Sequence, residues 1–116
     1  MTAELTTHVL DTSREGPASG VEVVLQRVHE DGELERIAAG TTNHDGRLDD
    51  PLLGPDEMEA GTYQLLFEVG AYYRDGPSES SFLDTVPVQF VIADPEEHYH
   101  VPLLLSPGGY TTYRGS

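Results

Sequence analysis

The chain has no cysteine and no tryptophan in 116 residues, and all six of its basic residues are arginines, so lysine is missing as well. Without thiols there is neither a disulfide framework nor a thiolate metal site, and the absence fits a reducing compartment. No stretch approaches the roughly 20 apolar residues that a membrane-spanning helix needs. Met1-Thr2-Ala3-Glu4 has neither the basic start nor the apolar run of a secretory signal, and Arg-Gly-Ser at the other end is no peroxisomal or retention address. These absences predict a soluble, cytoplasmic protein. Positive charge is scarce: Arg14, Arg27, Arg36, Arg47, Arg74 and Arg114 stand against 21 acidic residues, for a net charge of -15. Such a surface repels nucleic acid and anionic membranes, which excludes both as partners. It suits a salt-rich cytoplasm, where screening suppresses self-repulsion.

What is present is a period of two. Val21, Val23 and Leu25 alternate with polar neighbours, as do Tyr63, Leu65, Phe67 and Val69, and again Val86, Val88, Phe90 and Ile92. Each run reads as a half-buried strand. Turn signals separate them: Glu15-Gly16-Pro17, Asp31-Gly32, Asp45-Gly46, Gly54-Pro55, Ala60-Gly61, Asp75-Gly76-Pro77 and Asp94-Pro95. With Leu5–Asp11, Leu34–Thr41, a short piece near Arg47, Tyr99–Leu105 and Gly109–Tyr113, about seven or eight strands are expected. Gly70–Arg74 is the one helical candidate. The length and the lack of linkers predict a single domain over residues 1–116, an all-β, two-sheet antiparallel sandwich with one short helix.

Polar, reactive side chains gather on particular strand faces. Alternation puts His98, His100, Pro102 and Leu104 on one face of the penultimate strand, and Tyr99, Val101, Leu103 and Leu105 on the other. The second set is a core face, so the first must look onto solvent or another subunit. Pro102 lacks an N–H and fits only where the ladder needs no donor. On the first strand Thr6, His8 and Leu10 likewise share a face. Asp45-Gly46-Arg47 is a turn followed by an arginine, and His29 and His44 lie among loop residues without an assigned role. A His-x-His pair supplies two imidazoles, but no third metal ligand is specified. There is no nucleophile elbow, P-loop, HExxH or dinucleotide fingerprint.

These residues, taken together, resemble the transthyretin-related 5-hydroxyisourate hydrolases along essentially the whole chain. Leu5-Thr6-Thr7-His8-Val9-Leu10-Asp11 with Gly16-Pro17-Ala18 is similar to the N-terminal signature of that family, and Asp45-Gly46-Arg47 to its central one. His98-Tyr99-His100-Val101-Pro102-Leu103-Leu104-Leu105-Ser106-Pro107, with Tyr110 and the closing Tyr113-Arg114-Gly115-Ser116, is similar to the C-terminal one. Thr111 stands where a serine is common.

The resemblance implies a transthyretin-like (prealbumin-like) sandwich assembled as a homotetramer, a dimer of dimers, with active sites in the channel where dimers meet. It implies His8, Arg47, His100 and Tyr113 as catalytic residues, with Arg47, Tyr113, Ser116 and His98 contacting substrate. The implied reaction opens 5-hydroxyisourate at a ring amide bond in urate degradation, and no metal or organic cofactor is implied. His100 is then the expected base for water, with His8 orienting substrate or shuttling a proton and Arg47 holding the anionic heterocycle. So acidic an assembly repels an anion at long range, which leaves attraction to Arg47, Arg114 and the histidines. The alternative is a transthyretin-like carrier without catalysis, whose line has non-catalytic side chains at the positions of His8, Arg47 and His100.

Overall fold

Alternating side chains give the longer central strands one apolar face, and two such faces must cover one another. In the computed structural model, which describes residues 3–74 and 82–115, they do so as two four-stranded sheets. The strands are β1 (Leu5–Asp11), β2 (Gly16–Pro17), β3 (Glu22–Val28), β4 (Leu34–Thr41), β5 (Gly61–Glu68), β6 (Thr85–Ile92), β7 (Tyr99–Ser106) and β8 (Gly109–Thr112). One sheet has the order β2-β1-β7-β8 and the other β4-β3-β5-β6. A helix, α1 (Val69–Arg74), follows β5 and covers the expected Gly70–Arg74 segment.

The core lies between the sheets. Leu5 and Val9 of β1 and Leu103 and Leu105 of β7 are fully buried, and they face Val23, Leu25, Leu65 and Phe67 of the second sheet. Each such side chain contributes about 1.5–3 kcal/mol by leaving water. At the far end of β1, the carboxylate of Asp11 is buried too. It accepts hydrogen bonds from the Ser13 amide at 3.0 Å and the Tyr72 hydroxyl at 2.8 Å. Burial by itself raises its pKa, but the bonds from Ser13 and Tyr72 outweigh that and hold Asp11 below the ordinary carboxylate value. Asp11 thereby fastens α1 to the end of the first strand.

Among the described residues every strand pairing is antiparallel except one. β1 and β7 run parallel, in register from Leu5↔Tyr99 through Thr6↔His100 and His8↔Pro102 to Asp11↔Leu105. Parallel neighbours need a crossover, and here the crossover is the whole second sheet. Local departures from the expected elements are small. The piece near Arg47 is a single bridge to His8 rather than a strand, because the chain turns away at once after Arg47. Gly16-Pro17, expected as part of a turn, pairs with Leu10 and Asp11 as the two-residue β2. Pro55–Glu57 forms one 3-10 turn that has no counterpart in the periodicity.

Pro102 explains where the last ladder stops. β8 pairs with β7 from Ser106↔Gly109 down to Leu103↔Thr112 and no further. At the next position β7 offers no N–H, and the Pro102 carbonyl takes the Thr112 hydroxyl at 2.8 Å instead. Tyr113 and Arg114 leave the sheet there. The chain returns at Gly115, whose amide donates to the His100 carbonyl at 2.7 Å.

Candidate active site

The outward faces of β1 and β7 lie side by side, which brings together residues about 90 positions apart. Thr6 and His8 stand on β1, and His100 and Pro102 stand opposite them on β7. The His100 Nδ1 lies 2.8 Å from the Thr6 hydroxyl, and the His98 Nε2 lies 3.4 Å from the same oxygen. All three are half-buried.

A loop adds the cation. Asn43 opens it as an Asx turn: its side-chain oxygen accepts from the amides of Asp45 at 2.9 Å and Arg47 at 3.3 Å. Gly46 follows at φ +77°, a left-handed conformation that glycine adopts without penalty. A Cβ at Gly46 would collide with the Val9 carbonyl oxygen, so the loop can lie against β1 only because no side chain is there. The Val9 amide donates to the Gly46 carbonyl at 2.8 Å, and Arg47 arrives as the bridge partner of His8.

Hydrogen bonding distinguishes the two central histidines. The His8 Nε2 lies 2.8 Å from the Asp45 carbonyl oxygen. A carbonyl only accepts, so this nitrogen carries the proton, and in the neutral ring Nδ1 keeps the lone pair. His100 has a hydroxyl at its Nδ1 and the Gly115 backbone against its Cδ2 edge, where an added Cβ would come within 2.7 Å. Burial, and then the nearby charges of Arg47, His8 and His98, push the His100 pKa below the ordinary histidine value of 6.5. At neutral pH His100 is therefore an unprotonated imidazole, the form a general base requires.

Arg47 is exposed, and none of the ion pairs among the described residues involves it. Its neighbours in sequence include Asp49 and Asp50, yet Asp49 accepts from the Asn43 amide at 2.9 Å instead. Among the described residues the Arg47 guanidinium therefore has no carboxylate partner. Beside it opens a hollow of about 240 Å³ lined by Thr6, Arg47, Asp49, Asp50, Pro51 and His98, among others.

Other candidates fall elsewhere. Arg114, counted among the attracting charges, is engaged: it bonds Glu97 and the His98 carbonyl, each at 3.1 Å, and lies 4.1 Å over the Tyr99 ring. Tyr113 is 55% exposed and lines a separate, more apolar hollow with Gln89, Phe90 and Val91 of β6. Within one chain it is not gathered with His8 and His100. Ser116 lies outside the described residues. His29 pairs with Glu35 at 2.8 Å and His44 sits 3.6 Å from Asp45, both on the surface. Thr6, Asn43 and Gly115 support the site without being among the residues the sequence assigns to it. The Asn-His-Asp-Gly string is a turn signal that points to Asn43, whereas Thr6 and Gly115 become visible only through register.

The 5-hydroxyisourate hydrolase of Halalkalibacterium halodurans is 53% identical to this chain over the full length of both. That of Pseudomonas aeruginosa is 50% identical, covering 97% of this chain and 90% of its own. Among solved structures, Klebsiella pneumoniae 5-hydroxyisourate hydrolase superposes with a TM-score of 0.81 at 38% identity, covering 98% of this chain and 99% of that one. Sea bream transthyretin in complex with thyroxine gives a TM-score of 0.88 at 32% identity, covering 97% and 95% of the two chains. (S)-allantoin synthase gives 0.88 at 41% identity over 99% of this chain, which spans 44% of the length of that structure. Residues 5–115 match the family model described as HIUase/Transthyretin, and the chain belongs to that family.

Proposed function

We propose that this protein hydrolyses 5-hydroxyisourate, opening its six-membered ring to 2-oxo-4-hydroxy-4-carboxy-5-ureidoimidazoline. The relatives at 53% and 50% identity over nearly their whole length carry that activity in their names. The observation that carries the reading to residues is the meeting of His8, Arg47 and His100, which come from three separate segments. Water is a poor nucleophile at neutral pH, so a base must take its proton as it attacks the ring carbonyl. His100, held unprotonated by burial and by Arg47, takes that role. The amide oxygen becomes negative in the transition state, and the unpaired guanidinium of Arg47 stabilises it while holding the anionic heterocycle. The proton gained by His100 then goes to the departing ring nitrogen as the C–N bond breaks. His8 offers Nδ1 to the substrate or to the proton on its way. Tyr113 closes the site and donates a hydrogen bond, with His98 and Ser116 at the edge.

The assembly we propose is a homotetramer, a dimer of dimers, in the cytoplasm. The half-buried histidines on an outward sheet face support a covering subunit there, and the exposed Tyr113 reaches its partners across the same boundary. Transthyretin-like binding without catalysis is the second reading, since the sandwich of the thyroxine-bound carrier superposes closely and fold alone does not decide. The test is to generate 5-hydroxyisourate with urate oxidase and follow its ultraviolet absorbance with and without this protein. Acceleration over spontaneous decay is expected. Decay at the spontaneous rate, with thyroxine bound, would establish the carrier instead.

A further inference from the structure

We infer that Thr6 is a positioning residue for the hydrolysis: its hydroxyl joins His98 to His100 and holds the His100 proton on Nδ1, so that Nε2 is the nitrogen left to accept a proton from water. The inference rests on the proposed activity for its kinetic consequences, but its geometric content stands apart from them.

Three observations carry it. The parallel register of β1 and β7 sets Thr6 directly beside His100 on the same outward face. The Thr6 oxygen is 2.8 Å from the His100 Nδ1 and 3.4 Å from the His98 Nε2, so one hydroxyl spans both rings. Threonine is branched at Cβ and stiff about χ1, so that oxygen is held in place rather than swinging between the two.

A hydroxyl has one proton to donate and lone pairs to accept with, so the chain of bonds has two polarities. In one, the His100 Nδ1–H donates to Thr6 and Thr6 donates to the His98 Nε2. In the other, every arrow reverses, and the neutral His100 then carries its proton on Nε2 and is no base at that atom. The surroundings choose the first. Thr6 occupies Nδ1 and the Gly115 backbone lies against Cδ2, and among the described residues no hydrogen bond engages Nε2. Arg47 is the bridge partner of His8 on the strand beside His100, which brings a positive charge close to the ring. A ring whose open nitrogen presents a lone pair is stabilised by that charge, whereas one presenting an N–H dipole is repelled. Orientation of a base through its second nitrogen is the usual device for selecting a tautomer.

The test combines spectroscopy with kinetics. In the 15N-labelled full chain, two-bond ring correlations should show His100 protonated at Nδ1 and bare at Nε2. Thr6→Val keeps the branched shape and removes the hydroxyl. It should shift His100 toward the Nε2–H form and lower kcat by about tenfold to a hundredfold, with KM changed less than about twofold. Thr6→Ser should restore both the nitrogen signature and most of kcat. A wild-type His100 protonated at Nε2 overturns the proposal even if Thr6→Val fails to fold. So does a folded Thr6→Val with unchanged tautomer and unchanged kcat. If the wild-type protein hydrolyses nothing, the proposed activity fails by itself, and the nitrogen signature still decides whether Thr6 sets the tautomer.

Discussion

The Nε2–H of His8 donates to the carbonyl oxygen of Asp45 across 2.8 Å. Together with the Val9 amide on the Gly46 carbonyl, this bond ties β1 to the loop that delivers Arg47, two residues further on. It also assigns His8 a neutral tautomer opposite to the one inferred for His100. Two imidazoles on one face therefore present different nitrogens to whatever lies between them, which suits a division of labour better than duplicate roles.

Arg47 is the first residue to test. It is exposed and makes no ion pair among the described residues, so its side chain adds little to folding. Arg47→Ala should lower kcat/KM for 5-hydroxyisourate by about a hundredfold or more, with the melting temperature within a few degrees of wild type. Near wild-type turnover would remove Arg47 from the mechanism.

The pH profile gives a second check. Because burial and neighbouring positive charge hold the His100 pKa below 6.5, the acid limb of kcat/KM should lie below that value. Activity should be flat through neutrality and fall only as His100 takes up a proton. Removing the Arg47 charge should move the limb upward, toward 6.5, in whatever activity Arg47→Ala retains. The same shift links to stability: the fold favours the uncharged ring, so stability is lost as pH falls from 6.5 through the lowered folded value. An acid limb above 6.5 would contradict the assignment of His100 as base.

Gly46→Ala asks whether the loop must lie against β1. The new Cβ meets the Val9 carbonyl oxygen, and the backbone there has positive φ. A loss of more than about 1 kcal/mol of stability is expected, together with a fall in turnover as Arg47 is displaced from His8. Turnover and chemical melts measured on one preparation would show both.

Asp11 is a test of the charge buried at the end of β1. Replacing a buried, hydrogen-bonded carboxylate by an amide weakens the bonds from Ser13 and Tyr72, and Asp11→Asn should cost about 2–3 kcal/mol at pH 7. The folded pKa of Asp11 is lowered from 3.8, so its contribution is present above that value and lost as pH falls through the folded one. The stability gap between wild type and variant should therefore close in acid. A gap constant from pH 7 to below 3 would show that the charge of Asp11 does not hold α1.

Alternation makes the strands legible in the sequence itself. Leu5–Asp11 and Leu34–Thr41 coincide with β1 and β4, and β3, β5, β6 and β7 grow from the alternating runs. His8 and His100 were legible as outward-facing for the same reason. Their meeting was not, because periodicity is a local property and carries no statement of which strands become neighbours. The parallel pairing of β1 with β7 supplies that, and with it the role of Thr6. The motif resemblance identified Arg47, but only the Asx turn at Asn43 and the close approach at Gly46 explain how an exposed arginine is delivered to a strand histidine. Tyr113 followed the motif and not the ladder, since the missing amide of Pro102 is felt only when β8 tries to extend past Thr112.

The parallel neighbours β1 and β7 have a consequence for time as well as for place. Thr6 and His100 are 94 residues apart in sequence, and closing so long a loop is slow compared with forming the hairpins inside the second sheet. A chain emerging from the ribosome can pair β3, β4, β5 and β6 while β1 still waits for a partner that has not been made. The reactive face is thus among the last parts of the molecule to exist. Conditions that stall or fray the final strands should abolish catalysis in molecules whose second sheet is already formed.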